Sequence, residues 1–161
     1  MVIRRHWANN GYGHPQVYFV DHTGANWPVD VSTYTWNQAQ GIDSTYVNGS
    51  CPGYGGTHCI DLFDADYGAT GWVGLTTYNY DGNQNLIDGQ VYIQLNDYNS
   101  YSLNGAGFRQ VTCQEMGHSL GMGHNGATDS CMYGTILNSD SALYPDGDDF
   151  SQIADIYSVG H

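Results

Sequence analysis

The stretch VTCQEMGHSLGMGHNG, residues 111 to 126, carries residue types that bind metal ions and accept protons from water. Gln114 and His118 are four residues apart, so on a helix both project from the same side and can reach one ion. Glu115, the only glutamate among 16 acidic residues, lies about 100° further around such a helix. The spacing therefore predicts two metal ligands with a carboxylate beside them.

A third ligand follows the end of that helix. Gly121 can adopt the left-handed conformation that ends a helix and turns the chain. His124, three residues later, can then return towards the same ion. Three protein ligands with one open position are typical of a catalytic zinc site. We therefore predict Gln114, His118 and His124 as metal ligands, and Glu115 as the base that takes a proton from water.

The segment Q-E-x-x-H-x-x-G-x-x-H resembles the motif H-E-x-x-H-x-x-G-x-x-H of the metzincin clan of zinc endopeptidases. In that clan a methionine-containing turn lies beneath the metal, and Met132 falls where this turn would be. The order of elements is similar to a small matrixin-like or snapalysin-like catalytic domain over nearly the whole chain. The resemblance implies a zinc-dependent endopeptidase in which the strand at 91 to 97 is the sheet edge that binds an extended peptide.

Gln114 stands where the clan has a histidine, and three interpretations follow. The glutamine can ligate zinc through its carbonyl oxygen, which is a weaker and harder donor than imidazole. Alternatively His22 or His58 completes the site, or the ion is lost and a catalytically silent domain binds peptides or glycans in the same cleft. We favour direct ligation because the base, both histidines, the glycine and the methionine of the motif are all present.

The four cysteines predict two disulfide bonds. Cys113 precedes Gln114 and Cys131 precedes Met132, so a bond between them would fasten the predicted helix to the methionine turn. Cys51 and Cys59 would then close a small loop, and of the three possible pairings this one makes two local loops. Closing the loop from 113 to 131 would stabilise the fold by roughly 3 kcal/mol. The alternative, a four-cysteine metal cluster, is disfavoured because no C-x-x-C pair is present.

The length of 161 residues predicts a single domain over residues 1–161, and the order of predicted helices and strands predicts the α/β (α+β) class. The resemblance to the metzincin clan implies a zincin-like fold. Residues 27–41 read as a first helix with Val31, Tyr34 and Ala39 on its apolar side, followed by helices at 108–121 and 150–160. In the last helix Ile153, Ile156 and Tyr157 share one face. Strands are predicted at 16–21, 44–49, 58–65, 71–79 and 88–97. We expect one twisted mixed sheet of about five strands with three helices, the second helix leading into the methionine turn.

The composition indicates which classes of partner the protein can bind and in which compartment it is found. Three basic residues against 16 acidic ones, with no lysine, argue against nucleic-acid binding, which depends on Lys and Arg. No segment is apolar enough for a membrane span. Four cysteines with 22 glycines and 14 tyrosines are typical of a disulfide-stabilised secreted domain. We therefore predict a secreted protein whose acidic surface serves solubility, with calcium binding as the alternative. The resemblance to zinc endopeptidases implies protein or peptide substrates, and we expect a monomer.

Overall fold

The computed structural model describes residues 4–158, which form five strands and three α-helices. The order of these elements along the chain is the predicted one, and two short 3-10 helices lie at 97–102 and 140–142. The strands are β1 (Gln16–Asp21), β2 (Asp43–Asn48), β3 (His58–Ala65), β4 (Gly74–Thr77) and β5 (Tyr92–Asn96). The helices are α1 (Val29–Trp36), α2 (Gly105–Ser119) and α3 (Gly147–Tyr157).

The five strands form one mixed sheet in the order β2-β1-β3-β5-β4. Strands β2, β1, β3 and β5 are parallel, and β4 pairs antiparallel with β5. This confirms the predicted mixed sheet. The prediction that the strand at 91 to 97 is the sheet edge is wrong, because β4 folds back onto β5 and covers it. The edge on this side is β4.

Helices α1 and α2 contact each other and the sheet, so they cover one face of it. The prediction that Val31 and Tyr34 face inwards is wrong, since these side chains are 40% and 75% exposed. Helix α1 instead buries Val29 and Trp36 completely. The Trp36 ring removes more apolar surface from water than the alternative face would, and this decides which side of α1 turns inwards. Ala39 is buried, but it follows the helix.

Helix α3 buries Ile153, Ile156 and Tyr157, as predicted from their spacing. It begins earlier than predicted because Asp146 and Asp149 form a reciprocal capping box at its first turn. The core joins the sheet to all three helices. Its largest fully buried side chains are Trp7, Trp36, Phe19, Ile42, Ile60, Leu62, Ile93, Leu95, Met116, Leu120, Met132 and Ile153. Within residues 4–158 the helices are too short or too polar to cross a membrane.

Candidate active site

Helix α2 carries the first three predicted site residues. The side chain of Asn104 caps its first turn by accepting from the main-chain nitrogen of Gly107 at 2.9 Å. Two turns further on, Gln114 and His118 are half-buried, while Glu115 is only 6% exposed. Because α2 is continuous from Gly105 to Ser119, Gln114 and His118 lie on one side of it with Glu115 beside them. This agrees with the helical arrangement predicted from the sequence.

The end of α2 brings His124 back to His118. Gly121 has a φ of 100°, and Gly121 N and Met122 N donate to the carbonyl oxygens of His118 and Gly117. These two bonds form the glycine-dependent helix cap in which the chain reverses. The ring centroids of His118 and His124 are then 4.9 Å apart. The structure therefore brings together the two histidines that the sequence predicted as ligands.

The hydrogen bond of His118 leaves one ring nitrogen free to bind a metal. Its Nδ1 lies 2.8 Å from the main-chain oxygen of Met122. A carbonyl oxygen only accepts, so Nδ1 carries the hydrogen and Nε2 keeps its lone pair. Metal-binding histidines commonly donate their other ring nitrogen in this way, because the bond fixes the ring and its tautomer.

Gln114 is oriented by the same kind of contact. Its side-chain Nε2 lies 2.6 Å from the main-chain oxygen of Tyr133 and 3.4 Å from that of Cys131. Because carbonyl oxygens only accept, the amide nitrogen must face this turn, and the amide oxygen Oε1 faces away from it. No group within residues 4–158 donates a hydrogen bond to that oxygen.

Gln110, one turn earlier on α2, provides a contrast. Its Nε2 donates to the main-chain oxygen of Thr135 at 2.8 Å, and its Oε1 accepts from Leu137 N at 2.8 Å. Both ends of this glutamine are used within the fold, as expected of a structural residue. Gln114 uses only its donor end, so its acceptor is available to a ligand. The donor set of one amide oxygen and two imidazoles fits a zinc ion.

The methionine turn packs directly against α2. A Cβ at Gly117 would lie 2.5 Å from Met132 Sδ and 2.7 Å from the ring of Trp36, so only glycine allows this approach. Met132 is fully buried. The disulfide between Cys113 and Cys131 joins α2 to the turn covalently. The turn is therefore a fixed support for the ligand-bearing helix.

Helix α3 holds the turn from the other side. The fully buried Asp149 accepts a hydrogen bond from the hydroxyl of Ser130, and Ser130 Oγ in turn accepts from Met132 N at 2.9 Å. Asn125 donates to Asp149 at 3.0 Å and, through its main-chain nitrogen, to Met132 O at 2.8 Å. Because Asn125 follows His124, these bonds also position that histidine.

Strand β4 lies against the predicted base. Thr76 Oγ1 is 2.6 Å from Glu115 Oε2 and donates to it. A Cβ at Gly74 would lie 2.6 Å from Glu115 Cγ, so the glycine permits the close approach of strand and helix. Burial raises the pKa of Glu115, while the Thr76 hydrogen bond and the nearby His118 oppose that shift. The carboxyl group therefore holds a proton more readily than an exposed glutamate does.

The surroundings of His124 favour the neutral form of its imidazole. Its pKa is lowered, first by burial and then by the neighbouring His118. The neutral imidazole is the form that binds a metal ion.

The structure does not support a substitute histidine. His22 lies 2.7 Å from Asp61 and stacks on Phe63. His58 places Nδ1 2.7 Å from Asp88 Oδ1 and Nε2 2.7 Å from a main-chain oxygen. In the part of the chain that the structure describes, no group of three or more His, Cys, Asp or Glu side chains is arranged to hold a metal. Gln114, one turn before His118 on α2, is therefore the candidate for the third ligand.

The cysteines pair as the sequence predicted, Cys113 with Cys131 and Cys51 with Cys59. This arrangement rules out the alternative of a four-cysteine metal cluster. Several other residues of the site were not foreseen from the sequence: Arg5, Thr76, Ser130 and Asp149. Arg5, Thr76 and Asp149 contact the site from segments distant along the chain, and Ser130, which precedes the methionine turn, is identified only by its contact with Asp149.

Comparison with known proteins gives two matches. The family model described as matrixin matches residues 26–158, a range that includes every predicted ligand and the methionine turn. A crystal structure of archaemetzincin from Methanopyrus kandleri superposes with a TM-score of 0.55 and 13% sequence identity, covering 92% of this chain and 98% of that chain. At this identity the likeness shows a shared fold. No curated protein matches the sequence.

Proposed function

Because the chain belongs to the matrixin family, whose members are zinc-dependent peptidases, we propose that it is a secreted zinc-dependent endopeptidase. The observation that carries the proposal is the meeting of His118 and His124, with ring centroids 4.9 Å apart, beside the buried carboxylate of Glu115. Two imidazole ligands and a neighbouring base are parts of a site for metal-assisted hydrolysis of a peptide bond, and Gln114 would supply the third ligand.

In this proposal the zinc ligands are His118 through Nε2, His124, and Gln114 through Oε1. Zinc bound there supplies Lewis acidity, which polarises a carbonyl group and acidifies water. The amide oxygen is neutral, as a ligand imidazole is, but it is the weaker and harder donor. We therefore expect a site that binds zinc less tightly than one with three histidines.

Glu115 acts as the proton carrier. Thr76 occupies one carboxylate oxygen, Oε2, and this bond fixes the plane of the carboxyl group. The carboxylate takes a proton from the attacking water and then delivers it to the departing amine. Burial, which raises the pKa of Glu115, assists the first transfer because it increases the proton affinity of the group.

The open edge of β4 is the proposed substrate platform. Its other edge pairs with β5, so the outer main-chain groups can bind an extended peptide as an added strand. Glu115 packs against Gly74 and Thr76 of this strand, so a peptide bound there would lie next to the base. A protein or peptide substrate and a monomeric enzyme fit this arrangement.

Secretion is proposed from the two disulfide bonds, because such bonds persist in oxidising compartments. They hold together a small domain whose core is shared between one sheet and its helices.

A catalytically silent domain is the second candidate. The observation that favours it is the bond from Gln114 Nε2 to Tyr133 O, which fastens α2 to the turn without a metal. In either case the cleft beside β4 can bind a peptide.

Metal content and hydrolysis together distinguish the two candidates. The protein is incubated with zinc, freed of excess metal, and assayed for zinc per chain and for cleavage of casein. We expect close to one zinc per chain and metal-dependent cleavage. Less than about a tenth of an equivalent of zinc, with no cleavage, would favour the silent domain.

A further inference from the structure

A cavity of about 330 Å³ opens beside the two site histidines. It lies at the end of α2, where the helix cap, the residues after it and the segment 78–86 meet the amino-terminal segment. Its lining is Arg5, Tyr78, Leu86, His118, Gly121, Met122, Gly123 and His124. Arg5 is the only cationic side chain among these, apart from histidine.

Two tyrosines hold the guanidinium group of Arg5 in place. Its NH1 donates to the hydroxyl of Tyr78, and its NH2 lies 3.3 Å from the hydroxyl of Tyr80. The Arg5 Cζ atom also lies 4.7 Å and 4.3 Å from the centroids of the same two rings. These contacts fix the direction of a side chain that would otherwise be mobile.

The backbone of Arg5 is fixed by the helix that carries the site. A Cβ at Gly121 would collide with the main-chain oxygen of Arg5, so the two segments are in close contact. Trp7, two residues later, donates from Nε1 to Ser119 O at 3.0 Å. The position of the guanidinium relative to His118 is therefore set by packing.

Arg5 has no carboxylate partner in residues 4–158, where every ion pair joins a histidine to an aspartate. This holds although the chain has 16 acidic residues against 3 basic ones. Arginine pairs with a carboxylate through two parallel hydrogen bonds. A guanidinium with free donors in a cavity beside the reacting centre can offer them to a ligand.

We propose that Arg5 makes this cavity a subsite for a carboxylate group of the substrate, the side chain of an aspartate or glutamate. This inference rests on the proposed peptidase function. Tyr78 directly follows β4, and a peptide that adds antiparallel to β4 runs from the Tyr78 end towards Gly74. In that orientation the acidic residue lies on the amino-terminal side of the bond that is cleaved, because Glu115 contacts β4 at Gly74 and Thr76, before Tyr78.

The net charge of the chain works against such a preference. At a formal charge of -13, the protein repels acidic peptides at long range. A measured preference for an acidic peptide would therefore come from a local contact, and not from the overall field.

The test uses paired peptides that differ only by Asp or Asn, at each of the three positions before the cleaved bond. The ratio of kcat/KM for Asp over Asn is measured for the zinc-loaded parent, Arg5→Gln and Arg109→Gln. Arg109 is the matched control because it also lies over a tyrosine, with Cζ 4.8 Å from the Tyr144 ring, but does not line the cavity. We expect a ratio of about 10 at one position for the parent and for Arg109→Gln, and about 1 for Arg5→Gln.

Two further variants distinguish the loss of the Arg5 contact from a folding defect in Arg5→Gln. Arg5→Lys keeps the charge and should keep part of the preference, because a point charge attracts a carboxylate without the paired hydrogen bonds. Arg5→Glu should reverse it, so that a peptide with Lys at the same position is cleaved faster than its Asp counterpart.

The failures of the two proposals are distinguishable. Equal cleavage of Asp and Asn peptides by the parent, or an equal loss of preference in Arg109→Gln, would overturn the subsite. If the parent cleaves neither peptide, the peptidase proposal fails, and binding of the fluorescently labelled peptides to the zinc-free protein decides the subsite. Tighter binding of the Asp peptide that is lost in Arg5→Gln supports it, and equal binding overturns it.

Discussion

The side-chain nitrogen Nε2 of Gln114 lies 2.6 Å from the main-chain oxygen of Tyr133, the residue after Met132. His118 makes a comparable bond from Nδ1 to Met122 O at 2.8 Å. Each side chain gives its donor to a main-chain carbonyl and keeps one acceptor atom, Oε1 or Nε2. The glutamine therefore reproduces the donor and acceptor pair of an imidazole at the position where the clan has histidine.

Substitution of Gln114 should change zinc affinity in opposite directions. Gln114→His should bind zinc more tightly because imidazole is the better donor, and Gln114→Ala should bind it about 10-fold more weakly or worse. Titration against a competing chelator at one pH measures both. Gln110→Ala, which removes the structural glutamine one turn earlier, should change affinity much less. Equal dissociation constants for the parent and Gln114→Ala would show that Gln114 is not a ligand.

Glu115→Gln should abolish hydrolysis and keep the metal. The amide oxygen can still accept from Thr76, so the fold is retained, but the side chain can no longer take a proton. We expect kcat to fall by about 10²- to 10⁴-fold with zinc per chain unchanged. Cleavage of casein at the parental rate would show that another group is the base.

Gly117→Ala should destabilise the protein by about 1–3 kcal/mol because its Cβ would overlap Met132 and Trp36. Gly105→Ala is the control, since it lies on the same helix and its Cβ would meet nothing within 4 Å. The control should be neutral or slightly stabilising, as alanine favours helix. Urea unfolding of the three proteins measures the difference, and equal effects at the two positions would contradict the tight packing.

Removal of the disulfide between Cys113 and Cys131, by serine at both positions, should cost about 3 kcal/mol of stability. It should also lower zinc affinity, because Cys131 O and Tyr133 O orient the Gln114 amide. The matched control replaces Cys51 and Cys59, whose loop lies elsewhere on the chain. Chelator titration of both double variants should show weaker zinc binding only in the first. The same loss in both would mean that the effect is general destabilisation.

Tyr157→Phe should alter stability in a pH-dependent way. The Tyr157 hydroxyl donates to Leu120 O at 2.7 Å and accepts from Trp7 N at 3.3 Å, so its loss should cost about 1–3 kcal/mol at pH 7. Burial raises the pKa of Tyr157. Above about pH 10 the unfolded chain ionises this tyrosine first, and the free energy of unfolding of the parent must then fall as pH rises.

The variant lacks that ionisation, so its free energy of unfolding does not fall for this reason. The difference in free energy of unfolding between the parent and Tyr157→Phe should therefore decrease between pH 10 and 11, by up to about 1.4 kcal/mol per pH unit. Urea unfolding at pH 7, 10 and 11 measures the change. Tyr101→Phe, at a side chain that is 86% exposed, should show neither effect. A constant difference between parent and Tyr157→Phe across this range would contradict the pKa shift.

Local patterns were enough to predict the helix-borne part of the site. Gln114, Glu115 and His118 lie within two turns of one helix, and Gly121 ends it, so their relative positions follow from helix geometry. The strands and the two disulfide pairs also carry local signals. The family match and the fold comparison agree with the predicted family and fold.

Features that depend on contacts between segments distant along the chain could not be predicted from local patterns. Which strand forms the sheet edge depends on how β4 folds back onto β5, and the sequence of 91 to 97 looks equally suited to an edge. The inward face of α1 is decided by how Trp36 fits against α2, where its Nε1 donates to Cys113 O. Thr76 and Glu115, although in contact, are 39 residues apart in sequence.

The shortness of β4 has a consequence for how long a peptide stays bound. The strand has 4 residues, so its open edge can form only a few main-chain hydrogen bonds, each of which contributes about 1 kcal/mol net. For the proposed peptidase, residence on the edge should therefore be brief, and both halves of a cleaved peptide should leave quickly. The same shortness limits pairing of this edge with that of a second molecule, which is a common route to aggregation for longer exposed strands.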